Sequence, residues 1–84
     1  MYYVYVLLNS KGAKYTGVTS DLRKRLARHN SGRGGGYTSK NGPYKLIYYE
    51  AYFNKEDADT AEKFYKSGYG REVLSGKLKN FLDS

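Results

Sequence analysis

The chain has 84 residues, no cysteine, and a net charge of +7 from 15 basic and 8 acidic residues. So short a chain predicts one domain, residues 1–84, because a second hydrophobic core could not be filled. Disulfides and thiolate metal sites are excluded, and no apolar run approaches the roughly 20 residues that cross a bilayer. We expect a soluble, cytoplasmic protein without membrane association, whose positive charge favours nucleic acid as its partner.

Two short apolar runs with a turn between them predict an N-terminal β-hairpin. Residues 2–8 (YYVYVLL) and 13–19 (AKYTGVT) form strands readily, and NSKG between them is typical of a turn. A three-residue loop with Gly12 in the left-handed conformation would place Tyr5, Tyr15 and Gly17 on one sheet face. A two-residue loop would put the two tyrosines on opposite faces, because side chains alternate along a strand. We predict the three-residue loop.

A helix capped by Thr19 or Ser20 is predicted after the hairpin. Within it, Arg25 and His29 are four residues apart and share a stripe that we expect to be partly buried. The glycine-rich residues 30–43 predict a loop. Its composition fits either a basic segment that orders on a substrate or a plain linker.

The second half of the chain predicts one strand and two helices. Residues 44–53 (YKLIYYEAYF) are apolar on both faces, which favours a central strand. Asn54 is predicted to cap a helix over 55–68, in which Glu62 stands beside a narrow apolar stripe. Leucine and phenylalanine at helical spacing predict a last helix over 70–82.

Taken together, the elements predict an α+β fold. Its core would be a three-stranded antiparallel sheet flanked by three helices, in the order β-β-α-β-α-α.

The ionisable residues narrow the possible chemistry. A single histidine and the lack of a G-x-S-x-G elbow argue against a Ser-His-Asp triad and a histidine-rich metal site. Glu50, Glu62 and Glu72 remain as candidate site acids, too few for a two-metal cluster. A phosphodiesterase built from this chain would need one metal ion and a non-carboxylate base. A tyrosine serves as that base only where positive charge lowers its pKa below about 10.

Several residues in order along the chain resemble the GIY-YIG nuclease superfamily, and in particular its small standalone bacterial members. These residues are Tyr5, Tyr15, Thr16 and Gly17 in the hairpin, Arg25 and His29 in the next helix, Glu62, and the segment KSGYGRE at 66–72. The resemblance implies an endonuclease that hydrolyses phosphodiester bonds of nucleic acid, in DNA repair or processing; DNA is favoured as the substrate and RNA is left open. It also implies one divalent ion, Mg²⁺ or Mn²⁺, and no organic cofactor.

The resemblance also implies roles for individual residues. The catalytic residues would be Tyr5, Tyr15, Arg25, His29 and Glu62. Tyr5 would take a proton from water, Arg25 would neutralise the transition-state charge, and Glu62 would hold the metal ion. His29 would assist proton transfer or contact phosphate. The nucleic-acid contacts would be Gly17, Arg33, Tyr37 and Lys40.

The sequence departs from the family pattern and leaves alternatives open. Tyr3 stands where the first motif has glycine, Ala61 stands where some members have arginine, and Asn80 is a weak match to a late asparagine. Glu62 could instead pair with Lys66 four residues later. A non-catalytic nucleic-acid-binding module, or a structural or protein-interaction domain, would use the same residues differently. The oligomeric state is open.

Overall fold

The computed structural model describes residues 1–31 and 43–83. Within these ranges the chain forms β1 (Tyr2–Asn9), β2 (Lys14–Thr19), α1 (Leu22–Asn30), β3 (Tyr44–Tyr52), α2 (Lys55–Lys66), α3 (Gly68–Lys77) and α4 (Lys79–Leu82). The three strands form one antiparallel sheet, so the predicted α+β class and sheet are confirmed. Across the described ranges, no helix is long and apolar enough to span a membrane.

The strand order is β2-β1-β3, which makes β1 the central strand. The prediction that the third strand is central is therefore wrong. β1 carries the most deeply buried side chains, with Val4 and Val6 at 0% exposure, and pairs with a neighbour on each side. The apolar side chains of β3 reflect two helix-covered faces rather than a central place in the hydrogen-bonded ladder.

The predicted hairpin register is confirmed. Tyr5 pairs with Gly17 and Leu7 pairs with Tyr15, so Tyr5, Tyr15 and Gly17 share one sheet face. Gly12 has a φ of 85°, the left-handed conformation that glycine adopts without a steric cost. The Asn9 side chain stabilises the turn by accepting hydrogen bonds from two backbone N–H groups of the loop, at 3.0 and 2.8 Å.

The helices cover the two faces of the sheet separately. One face packs against α1, and its buried cluster contains Tyr5, Leu7 and Tyr44, with Leu22 and Leu26 of α1 partly buried against them. The opposite face packs against α2 and α3, and its buried cluster contains Val4, Val6, Ala58, Tyr65, Leu74 and Leu78. We call these the α1 face and the α2 face. Alternating side chains of β1 therefore serve two separate clusters.

One helix cap is confirmed and one is corrected. Asn54 caps α2, its side chain accepting from the N–H of Glu56 at 2.7 Å. At α1 the cap is Asp21, not Thr19 or Ser20, and Asp21 accepts from the N–H of Lys24 at 3.0 Å. Thr19 is unavailable for that role because its hydroxyl is hydrogen-bonded to the backbone of Asp21.

The single helix predicted over 70–82 is divided at Leu78, whose ψ of 14° interrupts the helical backbone. The first part, α3, begins earlier than predicted, at Gly68, because Ser67 caps it by accepting from the N–H of Gly70. Gly70 has a packing role: a Cβ there would overlap the backbone carbonyl of Phe64 at the end of α2. The tight α2–α3 corner thus depends on a glycine.

Candidate active site

Tyr5 stands at the centre of a cluster on the α1 face. It lies in the central strand and is 2% exposed. Its phenol extends over Gly17 on the neighbouring strand, where a Cβ would come 2.5 Å from the Tyr5 hydroxyl oxygen. Gly17 is itself buried. The glycine of the second motif therefore makes room for the tyrosine of the first.

His29 packs among the tyrosines of this cluster. Its Nε2 lies 3.0 Å from the Tyr5 hydroxyl, and its ring centroid lies 5.0 Å from that of Tyr15 and 6.2 Å from that of Tyr44. The side chain is 2% exposed, so the expectation of a partly buried histidine is wrong. The last turn of α1 carries it beneath the sheet side chains. Its Nδ1 has no hydrogen-bond partner among the described residues.

Burial sets the protonation of this pair. Burial, followed by the proximity of Tyr15, raises the pKa of Tyr5 to about 12, and the nearby charge of Arg25 only partly opposes this rise. Burial and the positive charges of Arg25 and Arg28 lower the pKa of His29 below its usual value. Both side chains are therefore neutral at pH 7. In the free protein, a cation does not make the phenol unusually acidic.

Arg25 borders the cluster from α1. It is half-buried, and it lines a cleft of about 350 Å³ along α1 with Lys24, Arg28 and the acidic Asp21. Its guanidinium is close enough to favour the ionised form of Tyr5. A cleft lined by three cations and one carboxylate is thus connected to Tyr5 through Arg25.

Glu62 lies on α2, the helix that packs against the opposite face of the sheet from the Tyr5 cluster. Its Oε2 accepts from Nζ of Lys66 at 3.1 Å, and its side chain is 25% exposed. Its negative charge contributes weakly to the raised pKa of Tyr5, which places it within electrostatic range of the cluster. The pairing with Lys66 that the sequence left open is present.

The described residues offer no cluster of three or more histidine, cysteine, aspartate or glutamate side chains suited to a metal ion. Glu62 is therefore a lone carboxylate. Mg²⁺ keeps several water ligands and is held by one or two carboxylates together with substrate phosphates, so a lone carboxylate suits it. Glu62 fits such an ion if Lys66 releases its oxygen.

The remaining predicted residues fall into two groups. Arg33, Tyr37 and Lys40, predicted to contact nucleic acid, lie outside the described residues. Glu72 and Asn80 are exposed on α3 and α4. The described cluster on the α1 face thus contains Tyr5, Tyr15, Gly17, Arg25 and His29.

A second cluster, on the α2 face, was missed from the sequence. The Glu50 carboxylate accepts hydrogen bonds from Tyr48 at 2.5 Å, Tyr52 at 2.7 Å, Lys77 at 3.3 Å, and Tyr65. Burial alone would raise the pKa of Glu50, but these donors together lower it to about 2. Tyrosines two residues before and after a glutamate share its sheet face, and that spacing is the signal available in the sequence.

The chain is similar to a known class of catalytic domain. Residues 1–76 match the model of the GIY-YIG catalytic domain. The chain belongs to the GIY-YIG family, a family of nucleases.

Its relatives are small bacterial proteins named UPF0213. The chain is 46% identical to one from Pediococcus acidilactici, over 94% of this chain and 82% of the relative. It is also 46% identical to one from Streptococcus pyogenes serotype M5, over 90% and 79%. The solution NMR structure of a UPF0213 protein from Bacillus halodurans is similar, with a TM-score of 0.55, 38% identity, and coverage of 90% of this chain and 84% of that one.

Proposed function

We propose that this protein is a divalent-metal-dependent endonuclease that hydrolyses phosphodiester bonds of DNA, in DNA repair or processing in the cytoplasm. One observation carries the proposal: Tyr5, hydrogen-bonded to His29 and seated over Gly17, lies beside the cationic cleft of Arg25. That arrangement joins a proton acceptor to a phosphate-binding cation. The nuclease family to which the chain belongs supports the same reaction.

The protonation states suggest how the proton moves. With a pKa of about 12, only about one Tyr5 in 10⁵ is ionised at pH 7. The phenol oxygen would therefore accept a proton from the attacking water while its own proton passes to Nε2 of His29, 3.0 Å away. His29 is neutral at pH 7 and can receive this proton, although the burial and the nearby Arg25 and Arg28 that lower its pKa also make it a weaker base than a free imidazole. Its burial favours this role over contact with phosphate.

Arg25 would stabilise the phosphate during the reaction. Negative charge grows on the phosphate oxygens in the transition state, and a positioned guanidinium offsets it. Lys24 and Arg28 line the same cleft and would hold the adjoining backbone. Tyr15 would support the geometry by packing against the His29 ring.

Glu62 would hold the metal ion through its carboxylate. A bound Mg²⁺ or Mn²⁺ lowers the pKa of a coordinated water and neutralises phosphate charge. Because Lys66 holds the same oxygen in the free protein, we expect metal affinity to be weak until that lysine is displaced.

Two observations favour the second candidate, a nucleic-acid-binding module that does not cleave. Tyr5 is 2% exposed and its pKa is about 12, neither of which suits a base that meets water directly. On the same sheet face, Tyr3 and Tyr49 form an edge-to-face pair at 5.9 Å, and Tyr49 is 52% exposed. Exposed tyrosines can stack on nucleobases.

Cleavage of labelled nucleic acid separates the two candidates. Single-stranded, duplex and branched DNA, and matching RNA, would be incubated with Mg²⁺, with Mn²⁺, or with EDTA. We expect metal-dependent cleavage by the wild type, and a loss of at least about 100-fold in Glu62→Ala and Arg25→Ala. Glu72→Ala and Arg23→Ala, which remove exposed charges from α3 and α1, serve as matched controls with wild-type rates.

The outcomes are distinct. Wild-type protein that binds every substrate form but cleaves none supports the binding module and overturns the proposed enzyme. Cleavage that persists equally in Glu62→Ala and Arg25→Ala identifies a contaminating nuclease. Cleavage of RNA alone would retain the chemistry and replace the substrate.

A further inference from the structure

A second cationic groove runs along the outer edge of β2. It has a volume of about 580 Å³ and lies between β2 and the α2–α3 corner. The residues that line it are Gly12, Lys14, Tyr15, Thr16, Tyr65, Lys66, Arg71, Leu74 and Ser75. We infer that this groove, the β2-edge groove, binds the nucleic-acid backbone next to the phosphate being cleaved, and that phosphate bound there draws Lys66 away from Glu62. The inference rests on the proposed function for its substrate.

The chemistry of the β2-edge groove suits a polyanion. Three cations line it, Lys14 from β2, Lys66 from the end of α2, and Arg71 from α3. None of the described lining residues is acidic, and hydroxyls of Thr16 and Ser75 add hydrogen-bond donors. Phosphate contacts in protein–nucleic acid complexes come from these side-chain types.

The β2-edge groove adjoins the candidate active site. Tyr15 lines the groove, and its ring lies 5.0 Å from that of His29 and 6.4 Å from that of Tyr5. One residue thus separates the groove from the Tyr5–His29 pair. A free mononucleotide needs no such continuity, whereas a strand passing through the active site must leave along an adjoining surface. The position therefore favours a polynucleotide.

Lys66 connects the groove to the metal-binding residue. Its Nζ donates to Oε2 of Glu62 at 3.1 Å, yet its side chain also lines the β2-edge groove. This ion pair is exposed enough to be weak, with the lysine 51% exposed and the glutamate 25%. A phosphate in the groove offers Lys66 a competing anion. Transfer of Lys66 to that phosphate would leave the Glu62 carboxylate open to a cation.

Binding measured without metal tests the groove. Affinity for a labelled single-stranded and a duplex DNA would be measured in EDTA across a salt series. We expect the double variant Lys14→Ala, Arg71→Ala to bind about tenfold more weakly at moderate salt. The slope of log K against log salt should become shallower by about 1.5 to 2. Lys63→Ala removes an exposed lysine of α2 outside the groove and is the matched control. It should change the salt slope by less than the value expected for one phosphate contact, about 0.9 on duplex DNA. Thermal unfolding verifies that each variant folds.

A double-mutant cycle in the same assay tests the transfer of Lys66. Glu62→Gln should raise affinity about threefold, because it releases Lys66 to the backbone. In a Lys66→Ala background, Glu62→Gln should change the binding free energy by less than half as much as it does in the wild-type background. Glu72→Gln removes a charge from α3 without touching Lys66, and its effect should be equal in both backgrounds.

Each result has a definite reading. Wild-type affinity and salt slope in the Lys14→Ala, Arg71→Ala variant would overturn the groove, and competition by inorganic phosphate as strong as by the oligonucleotide would show a small-anion site instead. Equal effects of Glu62→Gln in both backgrounds would overturn the lysine transfer. Because these readouts are binding in EDTA, they are independent of whether the protein cleaves DNA.

Discussion

Replacing Glu50 with glutamine should remove a large and pH-dependent part of the stability of this protein. The carboxylate accepts hydrogen bonds from Tyr48, Tyr52, Tyr65 and Lys77, and so joins β3 to α2 and α3. A glutamine is the same size, but it carries no charge, and its NH₂ group would face hydrogen-bond donors. Glu50→Gln is therefore a test of the charge rather than of packing.

The magnitude follows from the lowered pKa of Glu50. A fall from 4.5 to about 2 is about 2.5 pKa units, or about 3 kcal/mol, and the side chain is 19% exposed, so little of this is lost to solvent screening. Because the pKa is lower in the folded state, this stabilisation is complete above pH 4.5. It is lost as the pH falls from 4.5 towards 2, where the folded carboxylate finally takes up a proton.

Urea unfolding, followed by circular dichroism at pH 7 and in steps down to pH 2, measures this effect. We expect the wild type to exceed Glu50→Gln by about 3 kcal/mol at pH 7, with the difference shrinking below about 1 kcal/mol near pH 2. Other acids titrate in both proteins and cancel. Glu72→Gln, at an exposed site, should match the wild type within about 0.5 kcal/mol. A wild-type advantage that stays constant from pH 7 to pH 2 would refute the charge-based reasoning.

Three further predictions test the packing around Tyr5, the α2–α3 corner and the link from α1 to β3. Gly17→Ala should destabilise the fold by about 1–3 kcal/mol, because the new methyl group overlaps the Tyr5 phenol. It should also break the Tyr5–His29 hydrogen bond, which NMR spectra would show as a shifted histidine resonance. Gly70→Ala should lower the free energy of unfolding in urea by more than Gly68→Ala, because only a Cβ at position 70 overlaps the backbone of Phe64. Equal losses in the two variants would contradict the tight α2–α3 corner. Asn30→Ala should lower the free energy of unfolding by about 2 kcal/mol, because the Asn30 side chain is hydrogen-bonded to both the backbone N–H and C=O of Tyr44, the first residue of β3. A loss below about 0.5 kcal/mol would show that this link between α1 and β3 is dispensable.

The features that the sequence predicted correctly depend on neighbouring residues. The hairpin register follows from loop length and from Gly12, and it alone decides that Tyr5 and Tyr15 share a face. The cap of α2 at Asn54 depends on one side chain and one N–H group. Such interactions span a few residues, so composition and spacing are enough to find them.

The features that the sequence predicted wrongly or did not reveal depend on packing between distant elements. The central position of β1 depends on where β3 docks, some 40 residues later. The depth of His29 and the high pKa of Tyr5 depend on how closely α1 lies against the sheet. The Glu50 network needs α2 and α3 in place before its donors converge. The spacing of residues along the chain does not determine how these distant elements pack against one another.

The central position of β1 has a consequence for how the site responds to local opening. Tyr5 belongs to the strand bonded on both sides, whose amides should exchange hydrogen only when the whole sheet opens. Arg25 sits on α1, a nine-residue helix held to the sheet by two half-buried leucines, the buried His29 and the Asn30 side chain, and this one helix can detach at lower cost than the sheet can open. Mild denaturant should therefore separate Arg25 and His29 together from the Tyr5 phenol while the sheet persists. Tyr5 is therefore the more durable part of the site, and the docking of α1, which carries both Arg25 and His29, sets the conditions under which all three work together.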